Sequence, residues 1–138
     1  MCDAFGVEKI IFSGITEDDL KSRKVTRISR STEKYIDYSF SEDISKYLKL
    51  LKETHQIIGL EITSDSFPVS EYSFDLTKPI ALVIGDEIHG VSENVLTICD
   101  NKIHIEMYGN NSSMNVIQAT NIAIYEMVKQ VKENAIHL

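Results

Sequence analysis

Pro79-Ile80-Ala81-Leu82-Val83-Ile84-Gly85 decides the fold class of this chain. Five apolar residues run without a polar interruption between a proline that opens the segment and a glycine that closes it. A strand with one solvated face alternates apolar with polar residues, whereas a strand of a parallel sheet covered on both faces reads as one continuous apolar run. Residues 80–84 are therefore expected to form a doubly buried strand, with Pro79 at its start, where a missing backbone N–H does least harm.

Working outward, residues 57–62 carry a β-branched run that predicts a second strand, and residues 65–78, with Pro68 among them, read as an irregular connection. Further upstream, Ser41 stands before Glu42 and Asp43 as an expected N-cap, followed at helical spacing by Ile44, Tyr47, Leu48 and Leu51. Residues 7–12 (VEKIIF) and 35–40 read as strands, and the polar segment 15–33 between them as a loop. Downstream, a short helix is expected over 91–99, with Ser92 and Glu93 near its start, then an alternating strand over 102–107 and a loop over 108–113 (YGNNSS). A last helix over 115 to about 133 would bury Val116, Ala119, Ile122, Ala123, Met127 and Val131 on one broad face. Strands alternating with helices predict a single α/β domain, a mostly parallel sheet with flanking helices, over residues 1–138 without internal repeats. Ligands of such sheets lie at the carboxyl ends of the strands. That singles out the chain at 60–63, 85–90 and 108–115.

With 138 residues, 43% hydrophobic and 25% charged, the composition excludes disordered, collagen-like and low-complexity classes. No apolar run approaches the ~18 residues of a membrane span, and the N-terminus lacks a signal-peptide layout. Two cysteines, Cys2 and Cys99, and four scattered histidines give no metal-ligand spacing, so no metal is expected, and a reduced cytoplasmic compartment is the simplest reading. The net charge of −7 argues against a phosphate-bearing partner until its distribution is read. Lys21, Arg23, Lys24, Arg27, Arg30 and Lys34 stand against Glu33 alone, a local charge of +5 that leaves −12 for the rest of the chain. A basic segment on an acidic body is a directed patch suited to a phosphate backbone.

Gly85-Asp86-Glu87-Ile88-His89-Gly90 leaves a strand and enters a helix with glycine at both ends. Two readings stand side by side: a tight turn in which Asp86 or Glu87 caps the helix, or a backbone laid open to a ligand. It is neither a dinucleotide fingerprint nor a P-loop, since G-x-G-x-x-G and G-K-S/T are both missing. Gly109-Asn110-Asn111-Ser112-Ser113-Met114-Asn115 immediately precedes the last helix, either as a loop with Ser113 or Asn115 as N-cap or as a binding segment.

Taken together, Ile84-Gly85-Asp86-Glu87-Ile88-His89-Gly90-Val91, the strand end Ile105-Glu106-Met107-Tyr108-Gly109 and Ser113-Met114-Asn115-Val116 closely resemble the SpoU (TrmH-like) branch of the SPOUT RNA methyltransferases. Cys2-Asp3-Ala4-Phe5-Gly6-Val7 looks like the end of that family's first motif, and residues 27–35 (RISRSTEKY) resemble its basic loop. The resemblance covers nearly the whole chain.

It implies transfer of a methyl group from S-adenosyl-L-methionine to a ribose 2′-hydroxyl of tRNA or rRNA, in a homodimer with a deep C-terminal trefoil knot. By motif position the cofactor would lie against Leu60, Glu61, Gly85, Ile105, Met107, Ser113 and Met114, with Glu87, Asn115 and Ser113 at the catalytic centre. Arg27, Ser29 and Arg30 would hold RNA phosphates. Excess apolar surface on the last helix, at Ile117, Ile124 and Val128, is expected to form the dimer contact. Glu106 stands where the family usually has proline. The family also carries an Asn and a catalytic Arg on a strand and helical start that would precede Met1, so this chain is expected to be N-terminally truncated or a variant without that Arg. The alternatives are a non-catalytic RNA-binding dimer of the same fold and, ranked lower, a flavodoxin-like signalling domain. The latter expects clustered acids at early strand ends, where Ser13 and Gly14 stand here.

Overall fold

The computed structural model describes residues 2–22 and 36–136. It divides into two units, 1–47 and 48–138, with the division inside one helix.

In the first unit a 3₁₀ turn, Asp3–Phe5, leads to β1 (Lys9–Ser13), which pairs in parallel with β2 (Asp37–Ser41) from Lys9 opposite Asp37 to Ser13 opposite Ser41. Both strands begin two residues later than the β-rich runs suggest. Phe12 stacks on Phe40 at 5.5 Å between ring centroids, and Tyr38 meets both rings edge-on at 6.3 and 6.0 Å, an aromatic cross-strand cluster that fixes the register. The expected loop after β1 instead opens with α1 (Glu17–Ser22). Thr16 Oγ1 accepts from the Asp19 N–H at 3.2 Å, while Asp19 Oδ2 accepts from the Thr16 N–H at 2.8 Å, a reciprocal capping arrangement that starts a helix without any apolar periodicity. The sequence signal was Thr16-x-x-Asp19 with acids in the first turn.

Helix α2 (Ile44–Leu51) is capped by Asp43, whose Oδ1 accepts from the Lys46 N–H at 3.0 Å; Ser41, the expected cap, is the last residue of β2. In the second unit, β3 (Gln56–Leu60), β4 (Phe67–Pro68), β5 (Ile80–Val83) and β6 (Asn101–His104) form a wholly parallel sheet in the order β4-β6-β3-β5. The doubly buried strand is β3, where Ile57 and Ile58 are fully enclosed; β5 lies at the edge of this sheet and all four of its residues are half-buried. An apolar run reports how a strand pairs, but crossovers decide which strand is central.

The core joins Ile58 of β3, Val69 and Phe74 of the connection after β4, Ile103 of β6 and Ala123 of α4 (Val116–Ile136), with Leu60, Ile105 and Met127 around them. The short helix α3 (Glu93–Ile98) buries Val95, Leu96 and Ile98. Contrary to expectation, Ile122 and Val131 of α4 are exposed, while Ile124 is buried. Ile122 and Ile124 flank the fully buried Ala123, and it is Ile124 that turns to the core; for Val131 the reason is length, since 21 residues span about 31 Å of helix, against roughly 16 Å for a five-residue strand, and residues 131–136 are all exposed. No helix among the described residues is long and apolar enough to cross a membrane.

Candidate functional site

The segment after β5 is a closed ring. Asp86 Oδ1 accepts from the N–H groups of Ile88 at 2.8 Å and His89 at 2.7 Å, and the Gly90 N–H donates to the Asp86 carbonyl at 3.1 Å, so that Asp86 and Gly90 form an isolated antiparallel bridge. The His89 and Ile88 amides hold the Asp86 carboxyl below its ordinary value. Asp86 thus caps its own loop, not the following helix, which starts at Glu93 beyond Ser92. Gly85 and Gly90 are required by close approach: a Cβ on Gly85 would overlap the Gly90 carbonyl, and Gly90 has φ +66° with Glu61 Oε2 where its Cβ would stand. Glu61, just past β3, accepts from the Val91 N–H through that same oxygen at 2.9 Å.

The segment after β6 is built differently. A cavity of about 460 Å³ opens between residues 106 and 118, lined by Met107, Tyr108, Ser113, Met114, Asn115 and their neighbours. That volume lies in the range of small-molecule sites. Glu106 Oε2 accepts from Tyr108 Oη at 3.0 Å and Ser70 Oγ at 3.2 Å, and the hydrogen bond from Tyr108 first, then the Glu106 charge, pushes the Tyr108 phenol up from its ordinary value. The Tyr108 ring is 90% exposed. β6 ends at His104 rather than at the expected Met107, so Glu106 sits in loop. A proline is not needed there to end a strand that has already stopped.

Asn115 joins the two segments. Its Oδ1 accepts from the Ile117 N–H at 2.9 Å and the Gln118 N–H at 3.3 Å as the N-cap of α4, which turns its Nδ2 toward Glu87 Oε1 at 3.2 Å. The two residues singled out for the catalytic centre, 28 positions apart, are thus hydrogen-bonded, and both are exposed.

Of the other residues singled out, Met107, Ser113 and Met114 line the cavity. Leu60 and Ile105 pack against the core, Gly85 packs on Gly90, and Glu61 is engaged with Val91; none of these four is among the lining residues. Arg27, Ser29 and Arg30 lie outside the described residues. Glu106, Tyr108, Gly109, Asn110, Asn111 and Gln118 line the cavity as well; all but Glu106 and Gln118 lie in the 108–115 segment that the sequence singles out, though none was assigned individually to the site. Among the described residues no cluster of His, Cys, Asp and Glu is placed to hold a metal ion.

A parallel sheet with flanking helices, and a cavity and a carboxylate–amide pair past its strand carboxyl ends, defines a domain of the α/β class with its candidate site where such sheets hold ligands. The chain belongs to the SpoU rRNA Methylase family, which it matches over residues 1–125. It is 31% identical over 137 residues to the tRNA (guanosine(18)-2′-O)-methyltransferase of Aquifex aeolicus, covering 99% of this chain and 63% of that protein. It is 28% identical over 130 residues to the 23S rRNA (uridine(2479)-2′-O)-methyltransferase of Streptomyces viridochromogenes, covering 93% and 45%. The crystal structure of the A. aeolicus TrmH/SpoU tRNA modifying enzyme superimposes with a TM-score of 0.80 at 32% identity over 97% of this chain and 66% of that one. The SpoU methyltransferase AviRb from S. viridochromogenes in complex with AdoMet gives 0.82 at 26%, over 96% and 53%. The chain thus spans between about half and two thirds of these relatives' own length.

Proposed function

We propose that this chain carries the catalytic domain of an RNA 2′-O-ribose methyltransferase that uses S-adenosyl-L-methionine, acting on tRNA or rRNA in the cytoplasm as a homodimer, with the deep C-terminal knot that the family resemblance implies. The observation that carries the reading is the Glu87–Asn115 hydrogen bond at the border of the cavity. The cavity suits a nucleoside-sized ligand: it offers Met107 and Met114 as apolar walls and Asn110, Asn111, Ser113 and Gln118 as polar groups, and a Cβ on Gly109 would meet nothing within 4 Å, so the backbone there is open to approach.

A ribose 2′-hydroxyl is a weak nucleophile that must be aligned with the methyl carbon and relieved of its proton. When bound, S-adenosyl-L-methionine would supply an electrophilic methyl on its sulfonium and leave as the neutral thioether, while the hydroxyl proton would pass to a carboxylate such as that of Glu87. With Oε1 engaged by Asn115, Glu87 presents its second oxygen to accept from the hydroxyl and orient its lone pair. Asn115 cannot turn away, because its own oxygen holds the first amides of α4. Ser113 stands in the cavity wall two residues before it. Arg27, Ser29 and Arg30 would engage RNA phosphates, as the local charge of +5 suits.

A dimer contact through α4 is supported by exposed Ile117, Ile122 and Tyr125.

Calorimetry with S-adenosyl-L-methionine and its demethylated product tests the reading first; folded protein that binds neither at millimolar concentration overturns it. Methyl transfer to RNA, read as nucleotides that become resistant to alkaline cleavage, tests the second step. Cofactor binding without transfer to tRNA or rRNA would favour the non-catalytic RNA-binding reading. A monomeric mass by light scattering at tens of micromolar would remove the dimer.

A further inference from the structure

We propose that Glu61 is a positioning residue that sets the height of Glu87 by clasping the Gly90–Val91 backbone, and that it does so without touching the cofactor. The inference rests on the methyltransferase reading for its kinetic consequence, and on geometry alone for the clasp. Three observations converge on this side chain. Its own N–H donates to the Ile103 carbonyl at 3.0 Å, which fixes Glu61 to β6 just past the end of β3. Its Oε2 accepts from the Val91 N–H at 2.9 Å, and Val91 is buried, so this amide lies in a setting where an unmatched donor is penalised. Finally, the same oxygen occupies the space that a side chain at position 90 would need, which is how Gly90, at φ +66°, and Glu61 come to depend on each other.

The ring from Asp86 to Gly90 closes on itself through its own hydrogen bonds. Those bonds, like the approach of Gly85 to Gly90, close the loop on itself; the hydrogen bond from Val91 to Glu61 ties its end to the sheet. Glu87 sits in that ring and must meet Asn115, which is anchored independently by capping α4. A shift of the ring moves one partner of the Glu87–Asn115 pair and not the other. Glu61 Oε2 is turned to Val91 and Gly90, and Glu61 is not among the residues lining the cavity at 106–118.

Glu61→Ala and Glu61→Gln distinguish positioning from contact, since the amide retains an oxygen that can accept from Val91. For Glu61→Ala we expect amide exchange at Val91 to rise about tenfold or more in the cofactor-free chain and kcat for transfer to fall about tenfold or more, with the dissociation constant for S-adenosyl-L-methionine within about threefold of the parent. Glu61→Gln should restore exchange and most of the transfer. Gly90→Ala should cost less in the Glu61→Ala background than in the parent, because the colliding carboxylate is gone. Unchanged Val91 exchange in Glu61→Ala overturns the clasp, as does a loss of cofactor affinity shared equally by Ala and Gln. If the parent itself neither binds cofactor nor transfers methyl groups, the methyltransferase reading fails, while the exchange and double-variant arms still decide whether Glu61 holds the ring.

Discussion

Two segments leave the carboxyl ends of the sheet, and they are built on opposite plans. Residues 85–91 are closed by three hydrogen bonds through Asp86, a backbone contact between Gly85 and Gly90 and the Glu61 clasp. Residues 106–115 surround an open cavity, with Tyr108 almost fully exposed and space around Gly109. The difference teaches a division of labour: one segment holds a carboxylate at a set place, and the other leaves room for a ligand. Asn115 is where they meet, since one side chain both starts α4 and holds Glu87.

The largest effect should come from cutting that meeting point without unfolding it. Asn115→Asp keeps an oxygen to cap α4 but replaces the Nδ2 donor with a carboxylate facing Glu87. Transfer should fall by roughly 10² or more, while thermal stability changes little, because Asp caps helices about as well as Asn. Parental transfer rates in this variant would show that the pair plays no part in the chemistry. A second pair tests the contrast between segments directly. Gly90→Ala should destabilise by about 1–3 kcal/mol, from its positive φ and the Glu61 overlap, whereas Gly109→Ala should stay within about 0.5 kcal/mol. Urea denaturation of the two variants measures this; equal losses would abolish the distinction.

The smallest effect is on acidity. The Asp86 carboxyl is held below its ordinary value chiefly by the His89 and then the Ile88 amide, so the ring's extra stability is fully present above about pH 4. It is lost as pH falls through the lowered value in the folded state. Exchange-protected amides at Ile88 and His89 should therefore loosen in acid before those of β3, and amides that loosen together with β3 would show that the ring has no separate acid sensitivity.

Local chemistry made much of this legible. Parallel pairing was readable from the apolar run at 80–84, the late cap of α4 from Asn115, and the ligand end of the sheet from glycine and small polar residues at 85–90 and 109–115. The start of α1 was equally local but hidden, because Thr16 and Asp19 cap a helix too short to show apolar periodicity. The places of the residues singled out by motif position divided along the same line. Met107, Ser113 and Met114 do face the cavity, as contiguous residues of one loop must share a neighbourhood, whereas Glu61 is engaged by a backbone amide 30 positions away.

What the sequence by itself determined is the class of fold, the family resemblance and the positions of the two loops, since these follow from propensity, periodicity and capping within a few residues. Only the tertiary structure decided that β3 and not β5 is the enclosed strand, that Ile124 faces inward while Ile122 and Val131 face out, and that Glu87 meets Asn115. Those outcomes depend on the order in which crossovers lay the strands side by side and on how a 21-residue helix is turned and placed against strands of five residues. Both are properties of the assembled layers, which no window of neighbouring residues contains.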